Sequence, residues 1–475
     1  MSVTKKTKII ATLGPASSSK EIIEKMMLEG VDVFRINFSH ENYSDVLKKI
    51  SLIRELNHKH TINTCILADL QGPKLRVGEI ESNSIVKEGE LVTFSSENPF
   101  KGNSKRAYMN YQNFAKDVSV GEIILLDDGK LIFEVIKTDK IKKVVAKVIQ
   151  GGSFKSNKGV NLPNTKISLP ALTKKDIEDV KFAIENNMDW IALSFVRKEE
   201  DLKELKNIVN KYSKHKIPII SKIEKPQAIK NISKIIANSD GLMVARGDLG
   251  VEMPSAEVPL IQKNLVREAK KARIPIIIAT QMMETMIDSR SATRAEVNDV
   301  ANSVMDGADA VMLSSETSVG KYPIEVIKSM SNIIRSVEGS DLIKVPQTPP
   351  KINNKRYITK SICYHASTIA NEINAKAICT LTNSGYTAFQ ISAWRPKSNI
   401  LVFTSNKRIL TQLNLLWGVN SFFYDSNEST DKTIIQINSI AKKNSFIEKG
   451  DFIINLTSMP VVEKGMVNTL RISLV

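Results

Sequence analysis

The sequence predicts an α/β protein built on a (β/α)8 barrel. Short β-branched runs alternate with longer amphipathic stretches through most of residues 5–340, and one long interruption follows the third run. Eight strands, each followed by a helical segment, is the arrangement of a closed TIM barrel. An open doubly wound sheet gives the same alternation and remains the alternative. The eight predicted strands are KIIATLG (8–14), VFRINF (33–38), CILADL (65–70), WIALSF (190–195), PIISKI (218–223), GLMVAR (241–246), PIIIAT (275–280) and AVMLSS (310–315).

The interruption, residues 71–168, has a different pattern. It contains short alternating runs such as LIFEVI and VVAKVI, separated by Gly, Asn and Asp turns. Such runs are typical of a small all-β domain, here inserted after the third strand. The barrel is therefore expected to comprise residues 1–70 and 169–343.

Beyond the barrel, the Pro-rich stretch KVPQTPPKINNK (344–355) indicates a linker. Residues 356–475 resume the αβ alternation and predict a separate C-terminal α/β domain that serves assembly and has a possible effector site.

Composition limits the class of function. The N-terminal stretch lacks a convincing signal peptide, and no apolar run reaches the ~18–20 residues of a membrane span. Three separated cysteines fit a reducing compartment, so we expect a cytoplasmic protein. The net charge of +16 raises the possibility of a nucleic-acid partner, but the lysines are scattered along the chain. We expect a solvated basic surface with no nucleic acid and no membrane as partner.

Chemistry-bearing residues follow several predicted strands, at the end where barrel enzymes place their active sites. In RINFSH, Arg35, Asn37 and Ser39 share one face of the second strand. A guanidinium beside two oxygen-bearing side chains suits a phosphoryl group. A surface ion pair with turn-capping Asn and Ser is the alternative.

The fifth and sixth strands supply charges of both signs. SKIEKP places Lys222 and Glu224 on one face, and ARGDLG adds Gly247 and Asp248 at the next strand end. Two neighbouring carboxylates can share a hard divalent metal and leave positions for substrate oxygens. Free N–H groups after Gly247 are candidates for holding a substrate carboxylate. Thr280 follows the seventh strand at the same rim.

These residues lie in segments that resemble pyruvate kinase over essentially the whole chain. The resemblance implies transfer of the phosphoryl group of phosphoenolpyruvate to ADP, a Mg2+ or Mn2+ cofactor, and a homotetramer. The matching segments are TKIIATLGPAS, RINFSH, LADLQGPKLRVG, NKGVNLP, SKIEKP, GLMVARGDLG, IIATQMMETM, TRAEVNDVANSVMDGADAVMLSSET and NSGYTAF.

The resemblance also implies residue roles. Glu224 and Asp248 match the metal ligands, and Lys222 and Arg35 match the cations that contact the phosphoryl group. Further matches are Gly247, Asp248 and Thr280 for the substrate carboxylate; Thr280 and Ser314 for proton delivery; and Asn37, Ser39, His40, Arg76 and Lys158 for the nucleotide. Lys158 could equally be an ordinary lysine in a turn, and His40 could equally have a structural role. The inserted domain, hinged near Gln71 and Ser168, is expected to act as a lid.

One departure concerns the K+ site of the family, which Asn37, Ser39, Asp69 and the carbonyl of Leu70 match. Lys74 stands where K+-requiring members commonly carry an acidic residue. A tethered ammonium can replace a free cation, so we expect weak or no K+ dependence.

Two questions stay open at the sequence level. TNSGYT (382–387) resembles the phosphate loop of the family's effector site, with a sugar monophosphate or nucleotide as candidate ligand, but an unregulated assembly domain fits as well. A mutase or metal-dependent aldolase barrel is the rival activity, although neither needs the inserted domain.

Overall fold

Eight parallel strands close into a barrel at the centre of the molecule. The computed structural model describes residues 5–39, 41–343, 349–350, 356–425, 429–459 and 466–475. Each barrel strand pairs with the next along the chain, and the last pairs with the first. The strands are Lys8–Thr12, Val33–Asn37, Cys65–Asp69, Trp190–Leu193, Ile219–Ile223, Gly241–Ala245, Ile276–Ala279 and Ala310–Leu313, here called barrel strands one to eight. The predicted closed barrel is confirmed, and the open sheet is not.

Helices surround the barrel because each carries an apolar face toward the strands. Thr173 and Thr293 begin two of these helices with capping boxes, which satisfy N–H groups that the first turn leaves free. The helices of this ring are Lys20–Leu28, Tyr43–His60, Lys174–Glu185, Glu199–Tyr212, Pro226–Lys230, Ile232–Ala237, Val258–Ala272, Arg294–Asp306 and Pro323–Glu338. Shorter helical turns at strand ends are Pro15–Ser17, Arg246–Glu252, Glu284–Ile287 and Ser315–Ser318.

The segment between barrel strands three and four folds mainly as β-structure around its own apolar core. Its larger sheet has six strands and the smaller one two. The larger sheet contains Leu91–Ser95, Arg106–Tyr108, Ile123–Leu126, Leu131–Thr138, Lys143–Gln150 and Val160–Asn161. The smaller pairs Ile85–Val86 with Gly152–Ser153, and one short helix spans Phe114–Asp117.

The C-terminal region forms a five-stranded sheet with helices, as the αβ alternation predicts. Four strands are parallel, and the last is antiparallel to its neighbour. The strands are Ala377–Leu381, Asn399–Thr404, Val419–Phe423, Phe452–Thr457 and Thr469–Leu474. The helices are Tyr357–Glu372, Tyr386–Ala393, Lys407–Gln412, Leu413–Leu415 and Thr430–Lys443. Most of the predicted linker 344–355 lies outside the described residues.

The C-terminal region closes one end of the barrel. Leu415 packs into the apolar cluster formed by inward-facing barrel residues such as Ile10 and Met243. The indole of Trp190, in the first position of barrel strand four, donates a 3.0 Å hydrogen bond to the Gln412 carbonyl. This end carries the N-terminal ends of the strands, so the opposite end remains available for a functional site. No helix in the described part of the chain is both long and apolar enough to cross a membrane.

Candidate active site

Lys222 stands at the centre of the charged residues at the C-terminal ends of the barrel strands. The residue lies in barrel strand five, and its side-chain ammonium donates a 2.7 Å hydrogen bond to Ser194 Oγ. Carboxylate oxygens of Asp69 and Glu224 lie 3.2 Å and 3.1 Å from the same nitrogen. Burial alone lowers the pKa of Lys222, but the two carboxylates outweigh it and raise the pKa above its ordinary value. The lysine is therefore a fixed cation.

Asp69 ties Lys222 to Arg35. One carboxylate oxygen of Asp69 accepts a 2.6 Å hydrogen bond from Arg35 Nε, and the guanidinium also donates to Thr12 Oγ1 at 2.9 Å. Burial raises the pKa of Asp69, but the charges of Lys222 and Arg35 outweigh it and hold the pKa below its ordinary value. Because Asp69 is ionised, it orients both cations toward the barrel mouth.

Glu224 and Asp248 supply the carboxylates that the sequence assigned to a metal. Glu224 is almost fully buried, and one of its oxygens accepts a 2.6 Å hydrogen bond from the Phe195 N–H. Asp248 lies in the first turn of Arg246–Glu252, after barrel strand six. Burial and the nearby Asp248 charge raise the pKa of Glu224, and Lys222 only partly offsets this. Two carboxylates that repel each other gain from a shared divalent cation.

The donor set fits a metal that takes some of its ligands from a substrate. Within the described residues, no three His, Cys, Asp or Glu side chains gather as a ready-made ligand set. Glu224 and Asp248 offer hard carboxylate oxygens, the ligand type of Mg2+, which is usually bound by one or two carboxylates plus substrate oxygens and water. The residues present therefore fit Mg2+ or Mn2+ with an incomplete protein shell.

Thr280 holds an uncommon backbone conformation at the same rim. Its φ of 72° lies in the left-handed region, which β-branched residues rarely adopt. Thr280 Oγ1 accepts a 2.7 Å hydrogen bond from the Gly247 N–H and donates to the Ala279 carbonyl at 2.5 Å. The hydroxyl is thereby fixed between barrel strands six and seven, and such strained positions persist where surrounding contacts hold them.

Arg246 makes contacts that stabilise the backbone conformation of Thr280. Its guanidinium donates a 2.7 Å hydrogen bond to the Thr280 carbonyl and forms a 2.7 Å ion pair with Asp299 on the helix Arg294–Asp306. Arg246 therefore links the strand-six end, the strained turn and the following helix. The sequence analysis assigned no role to Arg246 or Asp299, although both residues lie in segments that carry the resemblance.

Ser314 lies after barrel strand eight. Its N–H donates a 2.7 Å hydrogen bond to Glu316, which also accepts a 3.3 Å bond from the Met283 N–H. Burial raises the pKa of Glu316. This carboxyl joins the turn at Ser314 to the loop after strand seven, where Thr280 lies.

The residues assigned to the nucleotide are spread over two parts of the molecule. Asn37 ends barrel strand two and its side-chain oxygen accepts a 3.1 Å bond from the Ser39 N–H. Arg76 and Lys158 lie in the inserted segment, where Arg76 donates to the Asn157 carbonyl at 2.8 Å and Lys158 pairs with Asp127 at 2.8 Å. His40 lies outside the described residues.

A cleft separates the inserted segment from the barrel mouth. Lys74, which is exposed, and Gly159 line one side of it, and Lys225 and Asp248 line the other. Leu70 directs its carbonyl to the hydroxyl of Ser194, at 2.7 Å. Of the residues singled out in the sequence, Asp248, assigned to the metal, and Lys74, expected to replace K+, line this cleft.

Contacts at the cleft edge attach the inserted segment to the barrel. Arg197 donates to the carbonyls of Ile167 and Leu169, at 2.9 Å and 2.7 Å. Asn161 donates a 2.8 Å bond to Glu252, which also pairs with Lys225. Asn161 and Lys225 lie in the matching segments NKGVNLP and SKIEKP without an assigned role, and Arg197 and Glu252 lie outside the matching segments. The sequence analysis therefore did not predict these contacts.

Comparisons with known proteins agree with this geometry. The family model described as pyruvate kinase, barrel domain, matches residues 4–327, and the model described as pyruvate kinase, alpha/beta domain, matches residues 360–473. The chain is 41% identical to pyruvate kinase 2 of Synechocystis sp. over 95% of this chain and 76% of the relative. It is 39% identical to a Staphylococcus epidermidis pyruvate kinase over 99% of this chain and 80% of the relative.

A solved structure gives the same result. The crystal structure of a pyruvate kinase from Cryptosporidium parvum superposes with a TM-score of 0.91 at 33% identity, covering 99% of this chain and 96% of that one. The barrel, the inserted β-structure and the C-terminal α/β region thus define a barrel phosphotransferase. The chain belongs to the pyruvate kinase family.

Proposed function

We propose that this member of the pyruvate kinase family transfers the phosphoryl group of phosphoenolpyruvate to ADP through the residues around Lys222. The observation that carries the proposal is the Lys222 ammonium, fixed between Asp69 and Glu224 within 3.2 Å of each carboxylate. In the reaction the bond between phosphorus and the enolate oxygen breaks, and a bond to a terminal phosphate oxygen of ADP forms. The products are ATP and, after one protonation, pyruvate.

Arg35 and Lys222 supply the positive charge that this transfer needs. The transition state spreads negative charge over the equatorial phosphoryl oxygens, so fixed cations lower its energy. Asp69 holds both side chains in place and leaves them charged. Because the cations are already oriented, little reorganisation accompanies the reaction.

Glu224 and Asp248 would hold Mg2+ or Mn2+ beside Lys222. When bound, that ion neutralises charge on substrate oxygens. Gly247, Asp248 and Thr280 would position the substrate carboxylate. The 2.7 Å hydrogen bond from the Gly247 N–H to Thr280 Oγ1 fixes the position of these two residues relative to each other.

The last step protonates the methylene carbon of the enolate. Thr280 and Ser314 are the residues we assign to the polar chain that conducts this proton from water. Glu316, which bonds the Ser314 N–H, connects their two loops.

Asn37, Ser39, His40, Arg76 and Lys158 are the residues proposed for the nucleotide. The division into a barrel (1–70 and 169–343), an inserted lid (71–168), a linker (344–355) and a C-terminal domain (356–475) belongs to the same proposal. The lid would hinge near Gln71 and Ser168 and exclude water, so that ADP receives the group.

We further propose that Lys74 takes the place of K+. The counterparts of the family's K+ ligands here are Asn37, Ser39, Asp69 and the carbonyl of Leu70. Lys74 lines the adjoining cleft, and its ammonium has no ion pair within 4.0 Å among the described residues. The family is also usually tetrameric and cytoplasmic, and we propose both for this chain.

A coupled assay tests the activity. With phosphoenolpyruvate and Mg2+, lactate dehydrogenase and NADH should report pyruvate formation that depends on ADP. A mutase or aldolase of the same barrel class predicts no ADP-dependent pyruvate, and that result would replace the proposal with its rival.

A further inference from the structure

Polar contacts join the inserted segment to the barrel at its two connections and at one side chain beyond them. At the first connection the Gly72 N–H donates a 3.0 Å hydrogen bond to Asp176, and at the second Arg197 donates to two backbone carbonyls. Within the described part of the chain, a single direct hydrogen bond or ion pair joins residues 73–166 to the barrel, and Asn161 makes it. This bond can break while both connections stay in place.

The barrel side of that bond is a buried ion pair. Asn161 Nδ2 donates a 2.8 Å hydrogen bond to Glu252 Oε1, and the same oxygen pairs with the Lys225 ammonium. The Glu252 side chain is 1% exposed and the Lys225 side chain 10%, so both charges are largely withdrawn from water. Asn161, Glu252 and Lys225 are here called the lid catch.

The ion pair of the lid catch contributes little net stability to the barrel. A buried pair loses much of its hydration and is often no more stabilising than apolar residues of similar volume. Glu252 Oε2 is also buried without a hydrogen-bond partner among the described residues. The carboxylate is therefore short of donors, and a donor from the inserted segment improves its environment. The Asn161 amide is that donor.

The lid catch lies beside the residues assigned to the metal. Lys225 directly follows Glu224 in the sequence, and Glu252 lies about one helical turn after Asp248 in the same short helix. Asn161, Lys225 and Asp248 line the same cleft. A closed lid catch therefore holds the inserted segment at the edge of the proposed metal site.

We infer, on the basis of the lid in the proposed function, that the lid catch sets how often the inserted segment closes over the cleft. In the closed state, Asn161 gives the Glu252 carboxylate a donor that it otherwise lacks. In the open state, water replaces the amide, so the net free energy of opening is modest. The lid catch thus opens and closes reversibly as substrates enter and products leave.

The distance between the inserted segment and the barrel tests this inference without any turnover. The three native cysteines are buried, so spin labels can be attached selectively to introduced ones. Suitable exposed positions are Lys137→Cys, on a strand of the inserted segment, and Asn210→Cys, on the helix Glu199–Tyr212. Pulsed electron paramagnetic resonance then measures the distance between the labels in the full chain, without metal or nucleotide.

Asn161→Asp is the main variant, because it sets a second carboxylate against Glu252. The ratio of long (open) to short (closed) distances should rise at least about tenfold, the factor for loss of one hydrogen bond to a charged group. Asn83→Asp adds the same charge at an exposed position of the inserted segment and should leave the distances unchanged. Identical distances in wild type and Asn161→Asp, or an equal shift in Asn83→Asp, would overturn the inference.

Exchange of the two side-chain types across the lid catch gives an independent test. In the double variant Asn161→Asp, Glu252→Gln, the amide and the carboxylate change sides, so a hydrogen bond between them can form again and Lys225 keeps a carboxylate nearby. This variant should recover most of the closed population, and a lid as open as in Asn161→Asp would count against the lid catch.

Asn161→Ala gives the answer if the double variant folds poorly, because it removes the hydrogen bond without adding a charge. Its lid should be more open than that of wild type, and wild-type distances would overturn the inference. The distances also separate this inference from the proposed activity. Shifted distances in a protein without ADP-dependent pyruvate formation would support the lid catch and remove the activity, whereas unshifted distances in an active enzyme would do the reverse.

Discussion

The hydroxyl of Ser194 accepts a 2.7 Å hydrogen bond from the Lys222 ammonium and donates a 2.7 Å bond to the Leu70 carbonyl. Ser194 lies just past barrel strand four, so the hydroxyl ties the ends of three barrel strands together. It positions Lys222 without carrying charge. We predict that Ser194→Ala lowers kcat about tenfold, as loss of a supporting contact often does, while KM for phosphoenolpyruvate changes little.

The rescue variant for that prediction is Ser194→Thr, which keeps a hydroxyl and should recover most of the turnover. Steady-state kinetics of both variants separate positioning from packing. Equal losses in the alanine and threonine variants would show that shape, and not the hydrogen bond, matters at this position.

Lys222→Met should lose turnover by at least about a hundredfold, because removal of one preorganised charge-stabilising donor costs that much in other enzymes. Binding of Mn2+ and phosphoenolpyruvate should persist, since Glu224 and Asp248 remain. Coupled kinetics and a Mn2+ binding titration measure the two effects. Lys234→Met, on the exposed surface, is the matched control. Near-normal turnover of Lys222→Met would remove the lysine from the mechanism.

Glu224→Gln should raise the Mn2+ concentration needed for half-maximal activity at least about tenfold, which corresponds to about 1.4 kcal/mol of lost metal affinity. The physical reason is that an amide oxygen offers no net charge to the cation. Glu325→Gln, an exposed position on the helix Pro323–Glu338, serves as control. An unchanged Mn2+ dependence would contradict the assignment of Glu224.

Arg246→Met should raise KM for phosphoenolpyruvate about tenfold, or about 1.4 kcal/mol of binding. Without the guanidinium, nothing holds the Thr280 carbonyl from the strand-six side, so the turn can relax from its φ of 72°. Arg246→Lys restores a positive charge near Asp299 but cannot also donate a hydrogen bond to the Thr280 carbonyl. This variant should therefore recover only part of the lost affinity for phosphoenolpyruvate. If both variants bind substrate normally, the strained turn does not depend on Arg246.

Lys74 should make the enzyme active without K+. In tetramethylammonium chloride, addition of KCl should change the wild-type rate little. Lys74→Glu should become K+-dependent by at least about tenfold, the factor that 1.4 kcal/mol of charge stabilisation provides. A large K+ requirement in the wild type would refute the replacement of K+ by Lys74.

The fold class was predictable because the spacing of hydrophobic residues along the sequence indicates which face of each strand and helix is buried. Each predicted barrel strand overlaps an observed one, but the predictions run past the strand ends, as for 8–14 against Lys8–Thr12 and 310–315 against Ala310–Leu313. The overrun has a physical cause. Leu13 is as buried as the strand residues before it, so hydrophobicity does not show where the hydrogen bonding between strands ends. After the last strand, Ser315 already begins a helical turn.

The candidate site was predictable where two residues on one strand share a face. Lys222 and Glu224 do so, and their charged atoms lie 3.1 Å apart. Contacts between distant segments were not predictable. Ser194 is an ordinary hydroxyl in the sequence, and the Arg246–Asp299 pair joins residues 53 positions apart. Only the closed barrel brings such residues together, and the resemblance located their segments without giving their contacts.

The central claim is that Glu224 and Asp248 hold one divalent ion beside Lys222. Anomalous diffraction from crystals grown with Mn2+ tests it most directly. We predict one strong peak within about 2.5 Å of a carboxylate oxygen from each residue, the distance range of hard cations and oxygen ligands. A peak bound by neither carboxylate, or by only one of them, would contradict it.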